Sequence, residues 1–316
     1  MKSKENLFKR FTRIEEGNLI IIMIILIFVL WLLNDKFLSF NNIANLLRQT
    51  AIIGVLAVGM TFVILSAGID LSVGSVLAFS SILASKLMVA GFPVWISIII
   101  ALLSCAIIGS IMGLIIYKGK VPAFIATLGG MTITRGMVML ISNADMVMGL
   151  PDAIGDFAVQ RYFGIPAMVY VWVVTICIGW FVSKYTVFGR NIYAIGSNTE
   201  AARLSGIKIG INICGIYAFC GLMSGIAGIL MTARLGNGVP TAGQGYELDA
   251  IAAVVVGGGS LSGAVGSIPG TALGTIIIAS IRNGGTLLGI NPFVLDISVG
   301  SLIVMAVLFD QLRKNK

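Results

Sequence analysis

TVFGRNIYAIGSNTEAARLSGIKIG, residues 186–210, is a polar, charged stretch inside a chain that is otherwise almost entirely apolar. Hydrophobic residues make up 58% of the 316 positions and charged ones only 11%, a balance that places the chain in a bilayer. The stretch stands between two long apolar runs, 166–184 and 210–233. A membrane protein that keeps a short amphipathic helix in water between two spans is presenting it to another molecule.

Working outward in both directions, the chain divides into apolar runs long enough to cross a hydrocarbon core roughly 30 Å thick. Ten are readable: 18–33, 48–66, 72–91, 94–117, 121–142, 166–184, 210–233, 249–258, 264–282 and 293–311. The eighth is too short to span as a helix on its own. The expected fold is an all-α integral membrane protein of about ten transmembrane helices, some short or broken. Short connections make 1–316 a single polytopic domain, with a tail at 1–17 and a helix-bearing loop at 185–209. Thirty-nine glycines fit a tightly packed bundle in which backbones approach closely.

The basic residues orient it. With the N-terminus inside, the inner loops and tails hold Lys2, Lys4, Lys9, Arg10, Arg13, Lys118, Lys120, Lys184, Arg190, Arg203, Lys208, Arg313, Lys314 and Lys316. These are fourteen of the twenty-one lysines and arginines, and most of the others lie within or at the ends of spans. The positive-inside bias therefore puts both termini and 185–209 in the cytoplasm. The net charge of +8 reflects this topology, and no nucleic-acid partner is implied. The first span is expected to stay, because Leu19–Leu33 is long for a signal peptide and NDKFLS follows in place of a cleavage site. Cys105, Cys177, Cys214 and Cys220 fall within spans without CxxC spacing, and there is no histidine, so no metal site is expected.

Two Gly/Ser-rich breaks interrupt the apolar pattern, SAGIDLSVGS at 66–75 and GGGSLSGAVGSIP at 257–269. Both enter the membrane from the same side and hint at a duplicated half. Broken helices at matching places in two halves point to a translocation path. On that reading Ser66, Gly68, Asp70, Ser72 and Gly74 in the first break, and Gly257, Gly258, Gly259 and Ser260 in the second, line the path or lie beside it. The alternative is close helix packing, for which Gly266/Gly270/Gly274, Gly109/Gly113 and Gly221/Gly225 provide small-xxx-small ridges. The outer connection, 143–165, reads as a solvated connector with room for a short surface helix, or else as a docking rim.

Asp70 lies where an unpaired charge is costly and is by default a functional candidate. It also precedes the first turn of the third span, where it can accept backbone N–H groups as a helix cap. The cap alone explains the residue and is preferred, with the charge near the cytoplasmic end. Snorkelling accounts for Lys86, Arg282 and Asp296, which leaves Arg135 as the one ionisable side chain deep in a span. No chain of Asp, Glu or His crosses the bilayer as an ion-coupled carrier often requires.

The energy source must then lie elsewhere, which returns attention to 186–210. Ser197-Asn198-Thr199-Glu200 reads as a capping box, in which Ser197 holds the third amide and Glu200 reaches back. Gly206 supplies the stop. The helix of about eight residues offers Ala201, Ala202, Leu204 and Ser205 as a small knob with Arg203 beside them. A helix this short is marginal alone in water, and a socket in a soluble partner is the preferred reading over a helix lying on the headgroups.

VGMTFVILSAGIDLSVGSVLA (58–78), GRNIYAIGSNTEAARLSGI (189–207) and PTAGQGYELDAIAAVVVGGGSLSGAVG (240–266) strongly resemble the permease subunits of ABC importers of the ribose and related monosaccharide group. The resemblance runs from about Phe37 to Asp310. It implies a multi-pass protein of the bacterial inner membrane, paired with itself or a similar permease around one path that works by alternating access. It implies a cytoplasmic ATP-binding subunit docked on Asn198–Ser205, which match the family's coupling helix, and an external sugar-binding protein. ATP and its magnesium belong to that partner, in keeping with the lack of any GxxxxGK[ST] loop here. The chain itself is then no enzyme and holds no cofactor. The outer loop is short for the ribose members, and the motifs do not fix the sugar. The competing readings are an ion- or proton-coupled carrier, with Arg135 as its charge, and a related ABC permease for branched-chain amino acids.

Overall fold

The computed structural model describes residues 17–314. The tail before Gly17, with Lys2, Lys4, Lys9, Arg10 and Arg13, and Lys316 at the other end lie outside the described residues. The fold is helical, in the order α1 (Gly17–Leu33), α2 (Phe40–Leu65), α3 (Val73–Val89), α4 (Val94–Gly119), α5 (Ala123–Ser142), α6 (Asp152–Val159), α7 (Ala167–Tyr185), α8 (Val187–Ser197), α9 (Thr199–Leu204), α10 (Ile209–Leu235), α11 (Tyr246–Val256), α12 (Ile268–Leu287) and α13 (Pro292–Lys314).

Local chemistry sets these boundaries. Pro93, Pro122 and Pro166 stand immediately before α4, α5 and α7, where the missing N–H costs nothing. Ser39 and Ser267 accept amides from the first turns of α2 and α12. Lys120 and Asn143 close α4 and α5 in the left-handed conformation.

Five helices, α2, α4, α5, α7 and α10, are long and apolar enough to cross a membrane, and α1, α3 and the Pro292–Leu308 part of α13 are shorter apolar helices. The run expected at 48–66 begins earlier, at Phe40, because Asn41, Asn42, Asn45 and Arg48 are polar yet helical. The eighth run is α11, a helix of 11 residues, short as expected. The 143–165 connection holds the short helix for which the sequence left room. It folds into α6 and a two-residue antiparallel pair, Arg161–Tyr162 with Ile165–Pro166, and Ile154 and Ala158 of α6 are buried. Arg48 of α2 fastens it by donating to the Ala158 carbonyl at 2.9 Å.

α2 is the centre, buried along most of its length, whereas α4, α5 and α7 leave most of their apolar surface uncovered. On one side α10 packs chiefly on α4 and also on α2 and α3, and on the other α12 packs on α11 and α2. In lipid, helices are joined by close packing and hydrogen bonds more than by apolar burial. Gly109 and Gly113 of α4 meet the backbone of α10, and Gly221 and Gly225 of α10 meet α4, so the two small-residue ridges face one another. Thr61 and Thr271 share a hydroxyl hydrogen bond of 2.8 Å between α2 and α12. Thr232 donates to Ser81 at 2.7 Å between α10 and α3. Asn42 and Asn283 exchange two amide bonds of 2.9 Å. Such interhelical bonds average about 0.6 kcal/mol each in a membrane.

Candidate functional site

The polar stretch is two helices. Thr186 caps α8 by accepting the Gly189 amide at 3.1 Å, and α8 turns Ile192 and Ile195 into the bundle. The cap of α9 is Asn198, which accepts the Ala201 amide at 2.9 Å; Ser197 ends α8 instead of capping α9. Glu200 does not reach back either. It pairs with Arg203, whose Nε donates to Oε2 at 3.0 Å, and the guanidinium holds the carboxyl below its ordinary value while the carboxylate raises Arg203. The capping box is thus replaced by an Asn cap and an i,i+3 ion pair.

α9 has six residues, shorter than expected. It ends as predicted at Gly206, with φ of +84°, where Ile207 N–H donates to Ala202 O at 3.1 Å and Gly206 N–H to Arg203 O at 3.0 Å. Ala202 is not part of the outward knob. It is buried with Ile195 and Ile209, and this small apolar cluster anchors a helix too short to stand alone. The surface offered outward is Glu200, Ala201, Arg203, Leu204 and Ser205, with Leu204 74% exposed.

The two breaks meet beneath α8. The Ala264 amide donates to the Leu65 carbonyl at 2.9 Å, joining them directly. Gly196, one residue from the end of α8, lies against the same carbonyl and the Ala264 amide with no room for a Cβ. The Tyr193 hydroxyl donates to the Gly266 carbonyl at 3.0 Å. Neither Tyr193 nor Gly196 was singled out by the sequence reading; the signal available was only their place on the buried face of a short amphipathic helix.

The residues expected along a path fall into different roles. Ser66 donates to the Val63 carbonyl at 2.8 Å and finishes α2. Gly68 lies against Tyr217 of α10. Asp70 is buried and accepts the Ser72 amide at 2.8 Å and the Ser72 hydroxyl at 2.6 Å, so it braces the turn before α3. α3 itself begins at Val73 with Ser72 at its cap position, and Asp70 packs near Tyr217 and Cys220, about two to three turns into α10. Gly257 and Gly259 are packing positions, the first against Gly270 of α12 and the second against Val254. Gly258 takes the turn after α11 with φ of +92°, and Ser260 is buried.

Gly74 leads to a different feature. It lies against the Gly243 carbonyl and the Glu247 carboxylate, next to a cavity of about 490 Å³ lined by Ser75, Met131, Thr132, Arg135, Gly136, Met139, Gln244 and Glu247. Arg135 crosses to the 236–245 segment and donates to the Pro240 and Ala242 carbonyls at 2.7 and 3.1 Å. This cavity is not legible in the sequence, because its polar groups come from α3, α5, the approach to α11 and the first turn of α11, with no shared local pattern.

Arg282 is not a snorkelling residue. Its Nη2 and Nε donate to Asp249 at 2.6 and 2.8 Å and its Nη1 to Asp296 at 3.0 Å, tying α12 to α11 and α13.

A family model described as the branched-chain amino acid transport system permease component matches residues 42–309. The ribose import permease protein of Haemophilus influenzae is 41% identical over 100% of this chain and 99% of its own length. That of Bacillus subtilis is 45% identical over 92% of this chain and 90% of its own. The xylose transport system permease protein of Escherichia coli is 36% identical over 93% and 91%. No solved structure matches the chain.

Proposed function

Because the chain belongs to the permease-component family matched over residues 42–309, we propose that it is the membrane subunit of an ATP-driven monosaccharide importer. The observation that carries this is the 41–45% identity, over nearly the whole chain, to ribose import permeases. The xylose permease at 36% fits the same class of cargo, and together these favour a sugar over a branched-chain amino acid.

In this reading the chain crosses the inner membrane about ten times as one domain, with both termini and the α8–α9 loop in the cytoplasm, as the basic residues favour. A separate ATP-binding subunit, which holds ATP and magnesium, docks on α9. The capped helix with exposed Glu200, Ala201, Arg203, Leu204 and Ser205 supports that role. Closure of the ATP-binding subunits displaces α8 and α9 together. Through Gly196 and Tyr193 that displacement reaches both breaks, and the bundle opens to one face or the other. A second permease copy completes the path, and an external sugar-binding protein delivers the cargo. The carrier alternative relied on Arg135, whose Nη1 is bonded to two backbone carbonyls.

The test is uptake into proteoliposomes holding this chain, its ATP-binding subunit and the external binding protein. ATP-dependent uptake of ribose or xylose, with none of leucine, is expected. Uptake driven by an ion gradient without the ATP-binding subunit would make the protein a carrier instead.

A further inference from the structure

We infer that the cavity between α3, α5 and the segment leading into α11 is a sugar-contact site, where Arg135, Gln244 and Glu247 engage the hydroxyls of a monosaccharide in transit. The inference rests on the importer reading above and adds the site of contact to it.

The size fits. At about 490 Å³ the cavity lies within the ~300–1,000 Å³ typical of small-molecule sites. The chemistry fits as well. A sugar hydroxyl both donates and accepts, and this cavity faces it with a guanidinium, a carboxylate, the Gln244 amide and the Thr132 hydroxyl. Arg135 and Glu247 line the same cavity, yet among the described residues no ion pair joins them. Sugar hydroxyls can accept from the guanidinium and donate to the carboxylate. Met131 and Met139 supply apolar wall for the C–H face of the ring. By contrast, the cavity lined by Val94, Leu102, Phe157 and Leu230 has no charged group and offers a sugar nothing.

The position points the same way. Arg135 lies twelve residues beyond Ala123, about 18 Å along α5, well inside a helix long enough to cross the membrane. Ionisable groups at such depth face the bundle interior or a water-filled cavity and mark substrate paths. The cavity opens past Thr132 and Gly136, both exposed, and a side chain at Gly136 would meet nothing within 4 Å. That mouth cannot face lipid without stranding two charges, so it faces water in the path. The first break also runs from the junction at Leu65 to Gly74 and Ser75 beside the cavity, which links the site to the moving loop.

The experiment is ribose and xylose uptake, per assembled complex, by the reconstituted complex with Glu247→Gln or Gln244→Ala. Loss of a hydrogen bond to a charged group should slow uptake by about tenfold in Glu247→Gln. Gln244 is exposed, so its change should alter the ribose-to-xylose ratio by about threefold without disturbing the fold. Variants that match the wild type in both rate and ratio would overturn the site. A wild-type complex that hydrolyses ATP but moves neither sugar would instead overturn the importer reading, and the site with it. Should Glu247→Gln fail to assemble, Thr132→Cys can be tested with a membrane-impermeant thiol reagent, after Cys177 and Cys214 are changed to Ser. Labelling that ribose slows is expected, and an unreactive thiol would refute a watered, sugar-accessible cavity.

Discussion

The amide of Ala264 donates to the carbonyl of Leu65 at 2.9 Å, so the two helix breaks are one junction although they lie far apart in sequence. Gly196 presses on that same carbonyl, and Tyr193 holds Gly266 just beyond it. A force on α8 therefore reaches both breaks at once. Tyr193→Phe removes one hydrogen bond worth about 1 kcal/mol, and should lower sugar moved per ATP by roughly fivefold in a protein that still folds. Gly196→Ala should cost more, since the backbone must separate to admit a methyl group. Parallel uptake and ATPase assays check both. Unchanged coupling in both variants would remove the junction from the mechanism.

Asp70 braces a buried turn through Ser72, and the consequence is structural. Asp70→Asn keeps an acceptor for both bonds but puts an amide NH2 in place of the second carboxyl oxygen in a buried turn. A fall of about 2–4 °C in melting temperature in detergent is expected, with sugar preference unchanged. A variant that assembles fully but accepts a different sugar would make Asp70 part of the path.

The Arg282 bridge should show a strict order of damage. Asp249 is fully buried and Asp296 is largely exposed, so removing Arg282 strands a buried carboxylate whereas removing Asp296 does not. Arg282→Met is expected to cost about 3–5 kcal/mol, and Asp296→Asn about 1 kcal/mol or less. Thermal unfolding in lipid nanodiscs measures the order, and equal losses would contradict it.

The Glu200–Arg203 pair should make coupling insensitive to pH near neutrality. A carboxyl lowered in the folded protein contributes stability above its unfolded pKa, about 4.3 for glutamate, and loses it only as pH falls through the lowered value. Arg203, raised by the same contact, stays charged throughout. Sugar-stimulated ATPase of the wild type and Glu200→Gln should therefore run parallel from about pH 6 to 8. Profiles that diverge within that window would place another titrating group at the docking surface.

Much of this was legible because lipid simplifies the code. Spans announce themselves as apolar runs, and ridges such as Gly109/Gly113 and Gly221/Gly225 found each other at the spacing the sequence displayed. What was lost depended on three-dimensional neighbours. Ser197 and Asn198 are both good caps, and only the end of α8 decides between them. Ala202 looks outward on a lone helix and is buried because Ile195 and Ile209 converge on it. Gln244 and Glu247 sit three positions apart in an ordinary polar stretch, and their chemistry appears only when α5 brings Arg135 across. Arg282 looked like a snorkelling end residue because Asp249, its main partner, lies 33 positions away.

The most direct measurement is ATPase activity of this chain co-purified in lipid with its ATP-binding subunit, with and without sugar-loaded binding protein, in the wild type and in Glu200→Lys and Arg203→Glu. The expected result is stimulation by the loaded binding protein in the wild type, and ATP hydrolysis uncoupled from sugar in both variants, which remain folded and inserted. Normal stimulation and transport in both variants would show that α9 is not where ATP hydrolysis is transmitted to the membrane subunit.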